Sequence, residues 1–152
     1  MESYSERSAA ALAAVRSVLD SYAGAGGAGA FTVSEDASGL HVVSREFKDA
    51  SGQVQILKPV LETRISMTNS GSALDAVEKI CQQVNLGSKV GIGLGTVPMN
   101  LLANTAVNVD VKNVAARDLL ESISKQIGVP LGWELFCDPR DGGCALNMDA
   151  VQ

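Results

Sequence analysis

The stretch that decides the fold is VNVDVKNVAARDLLESISKQIGVPLGWEL, residues 107–135. Apolar and polar residues alternate over Val107–Val111, which predicts a β-strand with one buried face. Apolar side chains then recur at helical spacing and share one face: Ala116, Leu119, Leu120, Ile123 and Ile127. Gly128 and Pro130 end this helix, and renewed alternation over Leu131–Leu135 predicts a returning strand. The stretch therefore predicts a β-α-β unit.

An earlier stretch, 64–85, has the same organisation. An alternating strand leads to Ser72 and Asp75, which have the spacing of a capping box at the start of a helix. The apolar face of that helix consists of Ala73, Val77, Ile80, Cys81 and Val84. Gly87 is placed to end it, and Asn113 is placed to cap the later helix. The chain thus contains two helices of similar design.

The two helical segments also share residue identities. Aligned without gaps, ALDAVEKICQQVN at 73–85 and ARDLLESISKQIG at 116–128 are identical at five of thirteen positions. The matches are Ala73/Ala116, Asp75/Asp118, Glu78/Glu121, Ile80/Ile123 and Gln83/Gln126. Duplication of a β-α-β unit explains them, and so does convergence of two helices on the same capping and packing rules. Both interpretations stay open.

The N-terminal part predicts one helix and several strands. An alanine-rich helix spans 5–24, and the glycine-rich residues 23–30 form a flexible connection. β-Branched and aromatic residues then predict hairpin strands within 31–62. Pro59 follows the strand residues 54–57, which favours an edge or a strand end there. His41, with no second histidine or cysteine nearby, is expected at a strand position with one face toward solvent, not at a metal or catalytic site.

Length and composition set the class of protein. The chain has 152 residues, 46% hydrophobic and 19% charged, which predicts one soluble globular domain over 1–152. Its segments are an N-terminal helix (1–24), hairpins (31–62), a first β-α-β unit (64–95) and a second β-α-β-β unit (106–151). The expected fold is α+β, with the N-terminal helix and two further helices packed on an antiparallel or mixed sheet.

Composition also excludes some partners. The longest apolar run, AAALAAV, has seven residues, too few for membrane insertion. A net charge of −5 and only 4% aromatic residues argue against nucleic-acid binding. The oligomeric state is left open by the sequence.

Two cysteines give information about the cellular compartment of the protein. Cys137 and Cys144 flank a turn-rich stretch, 138–143, between two apolar runs, which predicts a hairpin with the cysteines opposed. A disulfide is expected in an oxidising compartment and free thiols in the cytosol. The first residues contain no secretory signal, so a periplasmic or otherwise exported location implies a signal removed from this chain, with a cytoplasmic location as the alternative. Cys81 lies on the apolar side of a helix and is expected in the core.

The glycines Gly91, Gly93 and Gly95 suggest a ligand loop. Their backbone N–H groups could approach a phosphate, but the spacing is GxGxG and no long helix follows, because Pro98 intervenes. The pattern favours a strand or bulge in which glycine relieves crowding. A short helical turn is expected over 97–102.

No catalytic, metal or cofactor motif is found in the sequence. GxSxG, HExxH and Walker-type patterns are absent. We therefore expect a protein that is not an enzyme and holds no cofactor.

Residues Val107–Leu135 resemble the short N-terminal (STN-type) β-α-β domain of secretins and TonB-dependent receptors. The resemblance is carried by the alternating strand, the polar turn, the segment 116–120, Gln126, Gly128 and the returning strand. It implies a small α+β domain of the bacterial cell envelope that binds protein partners and has no catalytic residues. The expected function is a non-enzymatic protein-interaction module. The alternative is a small-ligand binding protein with its site near Gly91–Gly95.

Overall fold

The computed structural model describes residues 4–37, 39–138 and 142–151. Its helices pack on open antiparallel and mixed sheets, which confirms the predicted α+β class. Residue contacts divide the chain into two units, Met1–Pro59 and Val60–Gln152. That residues 1–152 form a single domain stays a prediction.

The N-terminal unit consists of one helix and a three-stranded sheet. Helix α1 spans Tyr4–Gly24, and the strands are β1 (Gly29–Asp36), β2 (Gly39–Lys48) and β3 (Val54–Ile56). All pairing is antiparallel, in the order β1-β2-β3, so β1 and β3 are the edge strands. The predicted N-terminal helix and hairpins are therefore present.

The C-terminal unit contains two strand–helix–strand segments and a final strand. After a 3-10 helix at Val60–Glu62, its elements are β4 (Arg64–Ser72), α2 (Ala73–Ser88), β5 (Gly91–Leu94), α3 (Met99–Asn104), β6 (Ala106–Ala115), α4 (Ala116–Ile127), β7 (Leu131–Asp138) and β8 (Gly143–Ala150). Both long helices begin where a strand ends, with no loop between.

Strands β4 and β6 pair antiparallel, and each delivers the chain directly into its helix. At the start of α2, the Ser72 Oγ accepts a hydrogen bond from the Asp75 N–H at 3.1 Å. The Asp75 carboxylate in turn accepts from the Ser72 N–H at 3.4 Å. The predicted capping box is thus present, and it satisfies donors that a helix start leaves unpaired.

The predicted cap of α4 is wrong. Ala115 is the N-cap residue, and its side chain makes no capping hydrogen bond. Asn113 instead lies within β6 with a left-handed φ of 54°, at a register shift where β6 carries one more residue than β4. Asparagine tolerates this backbone region better than most residues. Its Oδ1 accepts from the Arg64 Nε at 2.9 Å, so the side chain supports a β-bulge and leaves the helix uncapped.

The predicted end of α2 at Gly87 is also wrong. The helix continues to Ser88, and Lys89 caps it in a left-handed conformation. A Cβ at Gly87 would lie 2.8 Å from the Thr63 methyl group. Gly87 is therefore required by close packing, which the sequence pattern does not distinguish from a helix end.

The second sheet of this unit has the order β5-β8-β7. Strand β8 is central: it runs antiparallel to β7 and parallel to β5. Strands β7 and β8 form the predicted hairpin, with Cys137 directly opposite Cys144. Residues 139–141 of the predicted turn lie outside the described residues.

The core of the C-terminal unit lies between its helices and sheets. The largest fully buried side chains are Ile80, Leu102, Leu120, Ile123, Leu146, Met148, Val77 and Val84. Most come from the helical faces that the sequence predicts, and the partly buried Trp133 packs against this core. The unit therefore has a hydrophobic core of its own.

Candidate interaction surface

The N-terminal unit has no comparable core. Its described side chains are those of residues 6–37 and 39–59, and among them only His41 is buried. Apolar side chains on its strands are instead exposed: Phe31 39%, Val42 47%, Val54 52% and Ile56 86%. Folding of a small domain depends on burying such surface. Exposed apolar side chains of this kind make the sheet a candidate interaction surface.

Helix α1 contacts the sheet mainly near its C-terminal end. The rings of Tyr22 and Phe31 meet edge to face with centroids 5.8 Å apart. The Tyr22 hydroxyl accepts a hydrogen bond from the Ala28 N–H at 2.9 Å, which fixes the connection to β1. Val18, one turn earlier, is 68% exposed, so the helix leaves its own apolar side chains accessible.

Strand β3 is a short, apolar edge strand. It pairs with β2 through Val54 opposite Lys48, Gln55 opposite Phe47 and Ile56 opposite Glu46. The Leu57 N–H also bonds the Arg45 carbonyl at 2.8 Å. Successive residues of a strand direct their backbone groups to opposite edges. The N–H and C=O groups of Val54 and Ile56 therefore point away from β2, to an edge where no described strand pairs with them.

The turn before β3 is held by Asp49. Its Oδ1 accepts hydrogen bonds from the N–H groups of Ser51 and Gln53, at 2.9 and 3.0 Å, and from the Ser51 hydroxyl. The bond from the Ser51 hydroxyl, followed by that from the Gln53 N–H, lowers the pKa of the Asp49 carboxyl below its ordinary value. This exposed turn therefore carries a negative charge at neutral pH.

His41 occupies β2, but its side chain is 9% exposed, so the predicted solvent-facing position is wrong. Its Nε2 lies 3.2 Å from the Asp36 Oδ1. An ion pair or hydrogen bond to this carboxylate stabilises the hairpin between β1 and β2. The contact gives His41 a structural role in this unit.

Two strand edges of the C-terminal unit are covered by amide side chains from helices. On β5, the Asn85 side chain accepts a hydrogen bond from the Ile92 N–H. It also donates a hydrogen bond to the Ile92 carbonyl, at 3.0 Å. The Gln126 side chain does the same for Asn108 on β6, at 2.9 and 3.0 Å. Each amide takes the place of a neighbouring strand. The sequence pattern does not predict this role, although Gln126 stands among the residues shared by the two helices.

The glycines of the predicted ligand loop form strand β5 and the residue after it. Gly91 lies opposite Gly143 and Gly93 opposite Ala145, and the Gly95 N–H bonds the Leu146 carbonyl at 2.9 Å. Because Ile92 faces Asn85, strand alternation directs Gly91 and Gly93 toward β8. Their backbone groups are thus used within the sheet. The GxGxG spacing favours a strand here, and the structure has one.

Substitution by alanine should affect stability at Gly95 but not at Gly93. A Cβ at Gly95 would lie 2.0 Å from the Asn147 Oδ1, whereas nothing lies within 4 Å of one at Gly93. Asn147 cannot yield freely, since its Oδ1 accepts from the Thr96 N–H and its Nδ2 donates to Glu134. We expect Gly95→Ala to lower the free energy of unfolding by about 1–3 kcal/mol. Gly93→Ala is the control and should change it by less than about 0.5 kcal/mol, as measured by urea denaturation. Equal effects would contradict this assignment.

The three cysteines occupy two environments. Cys137 and Cys144 form a disulfide across the β7–β8 hairpin, with their Cα atoms 4.0 Å apart. Cys81 lies in α2 with 4% of its surface exposed. Burial raises the pKa of the Cys81 thiol to about 11, so the thiol stays protonated and unreactive at neutral pH. The sequence-based placement of Cys81 in the core agrees with this geometry.

Comparison with known proteins identifies no relative: no family model, curated protein or solved structure matches the chain. Among the described residues, no helix is both long and apolar enough to cross a membrane.

Proposed function

We propose that this chain is a non-enzymatic protein-interaction module of the bacterial cell envelope. The observation that carries the proposal is the N-terminal unit, in which Phe31, Val42, Val54 and Ile56 are exposed and no described apolar side chain is buried. A small-ligand binder needs instead a closed apolar pocket with a few converging polar groups. An exposed apolar sheet with an unpaired edge suits a protein partner better.

The proposed location is the periplasm or another oxidising compartment. The Cys137–Cys144 disulfide supports it, since such bonds persist where thiols are not kept reduced. The test uses protein recovered from its native cells without reductant, denatured to expose Cys81, alkylated, and weighed intact before and after reduction. We expect one alkylated cysteine before reduction and three after it. Three alkylated cysteines before reduction would contradict the proposed compartment.

The proposed family relationship is to the STN-type domains, through the C-terminal unit. Support comes from the order strand–helix–strand in β6, α4 and β7, which spans the stretch that resembles those domains. Gln126, one of the residues on which the resemblance depends, bonds the backbone of Asn108 and so contributes to the fold, not to a reaction. We propose no catalytic residue in this unit.

Site-specific photo-crosslinking in cells tests the interaction surface. A photoreactive phenylalanine analogue replaces Ile56, which is 86% exposed on β3, and in a second strain replaces Leu86, which is 77% exposed on α2. Similar exposure makes Leu86 a matched control. We expect protein adducts from position 56 and few from position 86. Equal yields from both positions, or none from 56, would contradict the proposal.

A further inference from the structure

We propose that, beyond the interaction function, the Cys137–Cys144 disulfide is a redox-sensitive crosslink, and that Cys137 is the sulfur at which an external dithiol opens it. The reactant is a small dithiol or a protein that carries two neighbouring thiols. Strand pairing, accessibility and packing of the two cysteines support this assignment.

Strand pairing fixes the distance between the two cysteines. The Val151 N–H bonds the Pro130 carbonyl, so the backbone groups of Pro130 face β8. Backbone groups alternate along a strand, and Cys137 lies an odd number of positions after Pro130, so its own groups point away from β8. Cys137 and Cys144 are therefore a non-hydrogen-bonded pair of the ladder.

This type of pair does not match the spacing that a disulfide favours. Opposed Cα atoms in a non-hydrogen-bonded pair lie about 4.5 Å apart. Disulfides favour about 5.5–6 Å between Cα atoms, and departures from this spacing make the bond easier to reduce. The strand pairing therefore favours a bond that thiols can open.

The two sulfurs differ in accessibility. Cys137 is exposed, whereas Cys144 is half-buried and packs against the hydrophobic core. Strand β7 is an edge strand, so no described strand covers the side of Cys137 that faces away from β8. Its N–H and C=O groups can bond the backbone of an approaching protein there. Because access decides which sulfur a thiolate attacks, attack occurs at Cys137.

The two thiols of the reactant balance the exchange. One thiolate of the dithiol bonds the Cys137 sulfur, the bond between the cysteines breaks, and Cys144 leaves as a thiolate that takes a proton from water. The second thiol of the reactant loses its proton, attacks the mixed disulfide and closes a disulfide within the reactant. Cys137 is released and is protonated. The chain thus gains two electrons and two protons, which the dithiol loses.

Reduction should loosen the hairpin beside the turn and leave the core in place. Cys144 lies opposite Ile92 in the parallel pairing of β8 with β5, so opening the bond removes a restraint on both strands. Ile92 remains bonded to the Asn85 side chain. Farther along β8, Leu146 and Met148 are buried. The change is therefore confined to the ends of β7 and β8 next to the turn.

Reduction of the oxidised full chain by dithiothreitol without denaturant tests the sensitivity of the bond. Samples are quenched over time, denatured, alkylated and weighed intact, so that a closed bond gives one labelled cysteine and an open bond gives three. We expect reduction at a rate within about tenfold of that in denaturing urea. A bond that resists reduction until the chain is denatured would overturn the proposal.

Reduced glutathione identifies the sulfur that is attacked. As a monothiol it stays attached to that sulfur, and an acid quench at early times preserves the adduct for peptide mapping. We expect the adduct on Cys137. An adduct mainly on Cys144, or equal amounts on both cysteines, would overturn the assignment of Cys137.

Hydrogen–deuterium exchange of the oxidised and reduced chains tests the local change. We expect faster exchange at 136–138 and 143–145 on reduction, and unchanged exchange in α2 and α4. The double substitution Cys137→Ala, Cys144→Ala is the control, and its exchange should not respond to reductant. Unchanged exchange at the strand ends, or faster exchange throughout the C-terminal unit, would contradict a local redox-sensitive element.

Discussion

Leu120→Ala is expected to lower the free energy of unfolding of the C-terminal unit by about 3–5 kcal/mol. Leu120 belongs to α4, and none of its surface is exposed. Alanine removes its contacts with the core and leaves a cavity, because close-packed neighbours relax only partly. The loss is a large part of the stability of a domain of this size. Urea denaturation followed by circular dichroism measures it.

Leu86→Ala is the matched control for this substitution. The chemical change is identical, but Leu86 lies on α2 with 77% of its surface exposed. The free energy of unfolding of the protein should change by less than about 0.5 kcal/mol in this variant. If Leu120→Ala were equally mild, α4 would not pack as described.

Removal of the disulfide should have the second largest effect. The double substitution Cys137→Ala, Cys144→Ala opens a bond between residues seven positions apart. In the chain-entropy description, a loop this short contributes about 2–3 kcal/mol by restricting the unfolded chain. We expect a loss of that size in chemical denaturation of the oxidised protein.

Reductant provides the internal control for the disulfide. Dithiothreitol should reduce the stability of the wild-type chain by a similar amount and leave the double variant unaffected. A wild-type protein whose denaturation midpoint does not move with reductant would show that the hairpin does not depend on the bond.

Local patterns in the sequence predict much of this fold. Alternating valines predict β6, helical spacing predicts the buried face of α4, and Ser72 with Asp75 predicts the start of α2. Each of these signals depends on residues close together in the chain. The turn-rich stretch between Cys137 and Cys144 is local too, and it correctly places the two cysteines opposite each other.

Long-range features are harder to predict from the sequence. The pairing of β4 with β6, and the position of β8 between β5 and β7, depend on contacts between distant segments. Asparagine is a residue type typical of helix caps, yet Asn113 lies in a β-bulge, where its backbone is in the left-handed conformation. Gln126 on a helix is typical of a solvated face, and its bonds to Asn108 become evident only when β6 lies beside it.

The candidate surface is missed for a related reason. Alternating apolar residues such as Val54 and Ile56 predict a strand with one buried face. The sequence does not say whether that face is covered by the same chain. Here the side chains lie on an edge strand and remain exposed.

The central position of β8 sets an order on the assembly of the C-terminal unit. Strands β5 and β7 both hydrogen-bond to β8, which follows them in the chain. During synthesis β5 must therefore wait, without its sheet partner, until residues 143–150 have left the ribosome. The sheet of β5, β8 and β7 therefore closes last, when nearly the whole of this unit is available to fold.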